Sequence, residues 1–380
     1  MVTSGEGTQM PDLLVISHLR WNWVWQRPQH IVSRMAAHRS HRGAQTWFVE
    51  YPAFDDVDEP TLNREIVDGI CRLWMSVPRN DRYGDCELDA IDPHWLAQQV
   101  RRLVYRDSRL RPDILLYTPM GTELAELVGW RSLAYDVMDN LQYFHNSSPM
   151  LPAMQDRLLA KADVVFTGGV SLHQSILERR SQSCHLFSSG VDSQHYAGAA
   201  RLRSGRATKV AGYIGVIDER LDYKLLLDLA RSLADWTIRL VGPVAKVELE
   251  TLPKRRNIEY LGLVSYKELP RILSGFDVGL MPFALTAATR EISPTKTLEY
   301  LAAGLPVVST PVPDVVANFS AAVEFAASGR SFATACRRAL EEPAPDRVRS
   351  TSRLLASQEW SVIAAEMIKL IEGSGAGIRG

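Results

Sequence analysis

At 380 residues and a formal net charge of −1, the chain is too long for a single hydrophobic core and carries no basic excess that would attract a nucleic acid. Hydrophobic residues at 46% and charged residues at 23% are ordinary for a globular protein, no run of 18 apolar residues occurs, and the opening MVTSGEGTQMPD is too polar for a signal peptide or an anchor. Cys71, Cys86, Cys184 and Cys336 are scattered without a CxxC pair, which fits reduced thiols and a cytoplasmic setting better than disulfides or a zinc site.

Strands and helices alternate from the start. LLVIS (Leu13–Ser17) is a buried-strand pattern, followed by the aromatic loop HLRWNWVWQ and a helix from Arg27 to Ala37 with Pro28 in its first turn. TWFVEY is the next strand, residues 53–70 read as polar and irregular, and CRLWMSV is a third strand. A helix over Asp92–Asp107, the strand DILLYT, a helix near Gly121–Val128, SLAYDVM, a helix near Leu151–Ala162 and DVVFTG continue the order. Ser171 is expected to cap the helix SLHQSILERR, and CHLFSS closes the unit. This alternation predicts an α/β fold with a mostly parallel sheet covered on both faces.

Asp192–Arg206 is small, polar and without period, and is the linker candidate. A second alternating unit follows: KVAGYIGVI, a helix over Tyr223–Leu233, TIRLVG, NIEYLG, a helix over Ser265–Leu273, DVGLMPF, and finally AAVEFAA. LLAKADVVFTGG in the first unit is echoed by ILSGFDVGLMPF in the second, which suggests one architecture used twice. A closing helix is expected near Thr351–Ile371. The expected organisation is therefore residues 1–195 as one Rossmann-like domain, 207–350 as a second, and 351–380 as a terminal helix and tail crossing back to the first. Open parallel sheets bind ligands at the carboxyl ends of their strands, so two facing domains make a cleft.

The stretch Glu291–Thr310, EISPTKTLEYLAAGLPVVST, carries the clearest chemistry. Ser293 and Pro294 read as a helix start, Gly304 as its stop, and LPVVST as a strand. A helix start offers unpaired amides to phosphate, Lys296 adds a full charge, and Glu299 is an acceptor suited to a sugar diol. Trp21, Trp23 and Trp25 alternate, either as a core face or as a platform for sugar or lipid. Arg101, Arg102, Arg106, Arg109 and Arg111 read as a solvated face, with a peripheral contact to anionic lipid as the alternative.

With Glu291-x7-Glu299 and the GLPVVST strand, together with YLGLVSYKELPRILSGFDVGLMPF, RLVGP and SSGVDSQHY, the chain resembles a glycosyltransferase of the two-Rossmann (GT-B) type. More narrowly it resembles the retaining bacterial class often called family four, or group 1. HLRWNWVWQRPQH, YDVMDN and ADVVFTGG resemble a subgroup found in surface-polysaccharide clusters. The resemblance implies transfer of a sugar from a nucleotide diphosphate donor (UDP or GDP type) to a hydroxyl on a glycan or lipid-linked glycan, with no cofactor and no metal, at the inner face of the membrane or in the cytoplasm. It implies a donor site in the second domain: Gly215, Gly242, Val264, Ser293, Pro294, Thr295, Lys296 and Thr297 around the nucleotide and diphosphate, Glu299 on the ribose, and Glu291 near the transferred sugar. Where the family carries Gly-Arg and a following Lys, this chain reads GYIGVIDERLDYK, so Arg220, Lys224 or Lys296 takes the phosphate charge. His18, Asp136 and Asp139 are candidates for acceptor orientation or proton transfer, the two acids standing at a strand end where an ordinary pKa leaves them ionised. Arg20, Trp21, Trp23, Trp25 and Arg27 are the acceptor-side candidates. Two other readings are open: a non-hydrolysing nucleotide-sugar epimerase, and a non-catalytic scaffold of the same fold.

Overall fold

The computed structural model describes residues 10–79, 91–105, 110–143, 147–202, 208–293, 295–341 and 345–375. Two sheets organise them. The first holds β1 (Leu13–Ser17), β2 (Thr46–Glu50), β3 (Ala53–Asp55), β4 (Thr61–Val67), β5 (Ile70–Pro78), β6 (Asp113–Leu116), β7 (Ser132–Val137), β8 (Val164–Thr167) and β9 (Cys184–Leu186). Its spatial order is β3-β5-β2-β1-β6-β7-β8-β9, and β4 pairs antiparallel with β5 while the other pairings are parallel. The second sheet is parallel throughout, in the order β12-β11-β10-β13-β14-β15, from β10 (Val210–Ile214), β11 (Thr237–Val241), β12 (Ile258–Tyr260), β13 (Val278–Met281), β14 (Val307–Ser309) and β15 (Val323–Phe325).

β1 is buried along its whole length, and its alternation feeds two cores. Leu14 and Ile16 pack on one face of the sheet, Leu13 and Val15 on the other. The first face is covered by α2 (Pro93–Val104), α3 (Thr122–Val128), α4 (Leu151–Lys161) and α5 (Val170–Leu177), the second by α1 (Arg27–Ser40). Helix starts follow local chemistry: Asp92 accepts from the His94 amide at 2.9 Å at the head of α2, with Pro93 in the first turn. The halves of the sequence echo play one role. Asp163 Oδ2 accepts from Leu133 N–H, and Asp277 Oδ2 accepts from Val210 N–H, each at 2.8 Å, so both acids pin the head of the neighbouring strand.

Several segments differ from the sequence reading. Residues 53–70 include β3 and β4; β4 is largely exposed, so no buried alternation marks it. Ser171 lies inside α5, after Gly169 as the N-cap, and gives its hydroxyl to Asp314 instead. The segment after Asp192 forms α6 (Ser193–Tyr196) and α7 (Ala199–Leu202), with Tyr196 and Ala199 inside the second domain's core, so the chain passes between domains before this segment.

The second domain is completed by α8 (Tyr223–Ser232), α9 (Leu269–Ser274), α10 (Ala287–Arg290), α11 (Lys296–Ala302), α12 (Pro313–Phe319), α13 (Gly329–Glu341) and α14 (Pro345–Ser357). The expected single closing helix is broken after Ser357, and α15 (Trp360–Ser374) returns to the first domain. There Trp360, Ile363, Met367 and Ile371 pack with α1 and β1. The backbone at the break pairs with the earlier crossing: Val191 N–H donates to Gln358 O at 2.7 Å, and Trp360 N–H to Val191 O at 3.1 Å.

Candidate active site

The loops that follow β1, β7, β10, β11, β12 and β13 meet between the domains, at the carboxyl ends of parallel strands where such sheets bind ligands. Three cavities lie there in series. The first, about 460 Å³, runs between the tryptophan loop of the first domain and Gly215, Gly242, Val264 and Lys296 of the second. The second is a neck of about 100 Å³ that shares Gly215, Lys296 and Trp25 with the first. The third, about 410 Å³, shares Asp139, Met138, Gln26 and Arg220 with the neck and adds His18, Tyr51 and Lys246.

Two glycines make the floor of the first cavity. Gly215 and Gly242 have φ of 148° and 142°, and a Cβ on Gly242 would stand 1.9 Å from the Gly215 carbonyl oxygen. Only glycine lets the β10 and β11 ends approach this closely. Gly212, by contrast, makes room for the Phe276 ring in the core.

α11 is shorter and more buried than its sequence suggests. Lys296 is its first residue, Thr295 precedes it in a helical conformation without a side-chain cap, and Thr297, Leu298, Glu299, Tyr300 and Leu301 are all buried. Ser293 is therefore not the cap: its carbonyl accepts from the Ser189 hydroxyl at 2.7 Å across the cleft. Pro294 lies outside the described residues. Thr297 is fully enclosed and lines none of the three cavities. Glu299 is 2% exposed and reached through Lys296, whose Nζ lies 3.2 Å from Oε1 and 3.0 Å from Oε2. Thr295 and Lys296 line the neck, and Gly304 takes the left-handed conformation that ends the helix, φ 70°. Glu291 reaches the first domain, where its Oε2 accepts from Asn140 Nδ2 at 2.7 Å.

The two cations expected after β10 separate. Arg220 faces the neck and the third cavity, with its guanidinium on Asp218 at 2.7–3.1 Å. Lys224 does not reach the cleft; on α8 it is exposed and pairs with Asp228 one turn on.

The acids and the histidine also differ from one another. Asp136 is completely buried and bonded to Arg27 Nε at 2.8 Å, which removes it from contact with an acceptor. Asp139 lines the cleft, and burial raises its pKa to about 6 against the opposing pull of Arg220. Burial lowers His18 to about 4, so its ring is neutral near pH 7. Its Nδ1 lies 3.2 Å from the Tyr117 carbonyl oxygen, which can only accept; the proton is therefore on Nδ1 and Nε2 is an acceptor.

The acceptor-side group does not act as one. Arg20 holds the Pro52 carbonyl at 3.0 Å and is exposed outside the cavities. The Trp21 ring is buried against Phe48, and the Trp21 backbone N–H donates to the Glu50 carboxylate at 2.8 Å. Trp23 bridges the first and third cavities. Trp25 stacks on Tyr266 of the second domain, ring centres 5.1 Å apart, which puts it in the wall of the first cavity and away from the third. Sequence reading passed over Tyr266, Ser189, Asn140 and Asp218; each sits in a stretch noted for another reason, and only the folding of two distant loops onto each other reveals them.

Residues 208–342 match the family model of group 1 glycosyl transferases. A Bacillus subtilis (strain 168) protein named "Putative teichuronic acid biosynthesis glycosyltransferase TuaH" is 25% identical over 308 residues, which is 74% of this chain and 77% of that protein. Among solved structures, a UDP-forming α,α-trehalose-phosphate synthase from Burkholderia xenovorans superposes with a TM-score of 0.68 at 15% identity, over 96% of this chain and 99% of that one. Anabaena HepE, solved with UDP-glucose, gives 0.68 at 12% identity over 95% and 99%. The chain has the GT-B fold, and residues 208–342 mark its second domain as that of a glycosyltransferase. Its second domain is of the group 1 type.

Proposed function

We propose that the chain moves a sugar from a nucleoside diphosphate donor in the first cavity and neck to a hydroxyl of a glycan or lipid-linked glycan in the third cavity, in the assembly of a cell-surface polysaccharide. The observation that carries this reading is the serial arrangement: two roomy chambers joined by a narrow neck lined by Arg27, Arg220 and Lys296. The base and ribose take the first chamber beside Gly242 and Val264. Glu299 accepts the ribose hydroxyls once Lys296 leaves it for the diphosphate. As the bond from the anomeric carbon to phosphate breaks, its electron pair passes to the phosphate, and cations fixed in the neck stabilise that charge more than the ground state's. The acceptor oxygen forms the new bond, and its proton goes to Asp139 or to the departing phosphate. His18 Nε2 orients the hydroxyl by accepting from it or a neighbour. Attack on the face the phosphate leaves would retain configuration; the anomeric proton coupling of the product tests that.

Titration calorimetry with UDP and GDP tests the donor site. Binding of one of them is expected, weakened about 10- to 100-fold in Glu299→Ala, the loss expected for a hydrogen bond to a charged group. A chain that binds neither, or a Glu299→Ala variant that binds as wild type, removes the donor site or the ribose assignment respectively.

A further inference from the structure

Arg27 stands at the head of α1 in the first domain, yet it forms part of the neck wall together with Gly215, Arg220 and Lys296 of the second. It is 3% exposed. Its Nε donates to Asp136 at 2.8 Å and its Nη1 to the Phe187 carbonyl at 2.7 Å, while Nη2 makes no hydrogen bond among the described residues. The other two cations of the neck differ, because Arg220 is engaged by both oxygens of Asp218 and Lys296 by Glu299. A buried guanidinium with an unspent donor is costly unless something fills the place, and a phosphate oxygen matches its fork.

Resting on the donor reading above, we infer that Arg27 is a catalytic residue of the leaving group: its Nη2 donates to a non-bridging oxygen of the donor's distal phosphate, and Asp136 is the positioning residue that aims it. The anomeric carbon–oxygen bond breaks, the electron pair stays on the phosphate oxygen, and Arg27 meets the charge that develops there. Because Arg27 belongs to the first domain and Arg220 and Lys296 to the second, the anion site is complete only while the domains are closed. The tight binding of Arg27 to Asp136 alone would make it a structural ion pair; the unspent, buried Nη2 of a residue that lines the neck is what a purely structural role leaves unexplained.

The test compares nucleoside diphosphate with nucleoside monophosphate binding, for whichever base the full-length wild type binds, without acceptor present. In Arg27→Gln the diphosphate affinity is expected to fall about 10- to 100-fold, as for loss of a charge-assisted hydrogen bond, while monophosphate affinity stays at the wild-type value. Arg27→Lys should lose less, and Asp136→Asn, which removes the charge that aims the guanidinium, should show a smaller loss of the same diphosphate-selective kind. Equal losses for both nucleotides in Arg27→Gln, or no loss for either, overturn the inference, as does a normal diphosphate affinity combined with a raised acceptor KM. If Arg27→Gln does not fold, Arg27→Lys decides: a diphosphate-selective loss supports the inference and its absence rejects it. A wild-type chain that binds no nucleoside diphosphate rejects the donor reading itself, an outcome separate from all of these.

Discussion

Asp139 and His18 face the same cavity with protonation equilibria pushed past each other. Burial brings the Asp139 pKa up to about 6 and takes His18 down to about 4, so His18 is neutral throughout the physiological range while Asp139 changes charge within it. An acid limb near pH 6 in the transfer rate is therefore expected, and Asp139→Asn should abolish it; a limb that survives in that variant assigns the titration elsewhere. Stability runs the other way for Asp139. Its folded pKa lies above its ordinary 3.8, so its contribution is greatest at low pH and is lost as pH rises towards 6. His18 has a folded pKa below its ordinary 6.5, so its contribution is present above that value and lost as pH falls towards 4. The two oppose each other over the same interval, and thermal unfolding of Asp139→Asn above pH 6 should occur at higher temperature than in wild type. Neither direction was readable from the residues alone: ordinary pKa values give two ionised acids in YDVMDN, and only their depth in the fold separates the pinned Asp136 from the titrating Asp139.

At the scale of elements, the ends of β10 and β11 meet through Gly215 and Gly242 with no space for a side chain. A methyl group at position 242 meets backbone, which cannot rotate away, so Gly242→Ala should cost at least about 2 kcal/mol by chemical denaturation and reduce nucleotide affinity with it. A variant as stable as wild type would mean that the loop can shift without penalty. These elements were legible because alternating apolar runs bounded by glycine leave few choices. The start of α11 was less so. Ser293-Pro294 has the composition of a cap, but Ser293 is held by Ser189 across the cleft, a partner more than a hundred residues away that no local rule weighs. β4 was missed for a different reason: an edge strand with Ile66 74% exposed shows no period.

At the scale of the whole molecule, the domains touch through the aromatic contacts of Trp25 and His30 with Tyr266 and through small polar contacts: Ser171 on Asp314, Ser189 on Ser293 and Asn140 on Glu291. Gly169 lies at this seam, where a Cβ would approach Asp314 Oδ2 to 2.2 Å and the Ser293 Cβ to 3.0 Å. Gly169→Val should hold the domains apart, which scattering would register as a larger radius of gyration and kinetics as a lower kcat/KM; an unchanged radius would show that the seam yields locally. The two-domain plan followed from the doubled alternation of strands and helices. The crossing points did not, because Asp192–Arg206 is polar enough for a linker while hiding Tyr196 and Ala199, which the second core needs.

The return of α15 has a consequence for how the protein is made. One face of the first sheet depends for its cover on Trp360, Ile363, Met367 and Ile371, which leave the ribosome only after the whole second domain. Domains usually fold in the order of synthesis, but here the first one emerges with apolar surface uncovered and must wait for α15. The second domain, whose core runs from Val191 to Leu355, precedes α15 in synthesis and can settle before that helix docks on the first sheet.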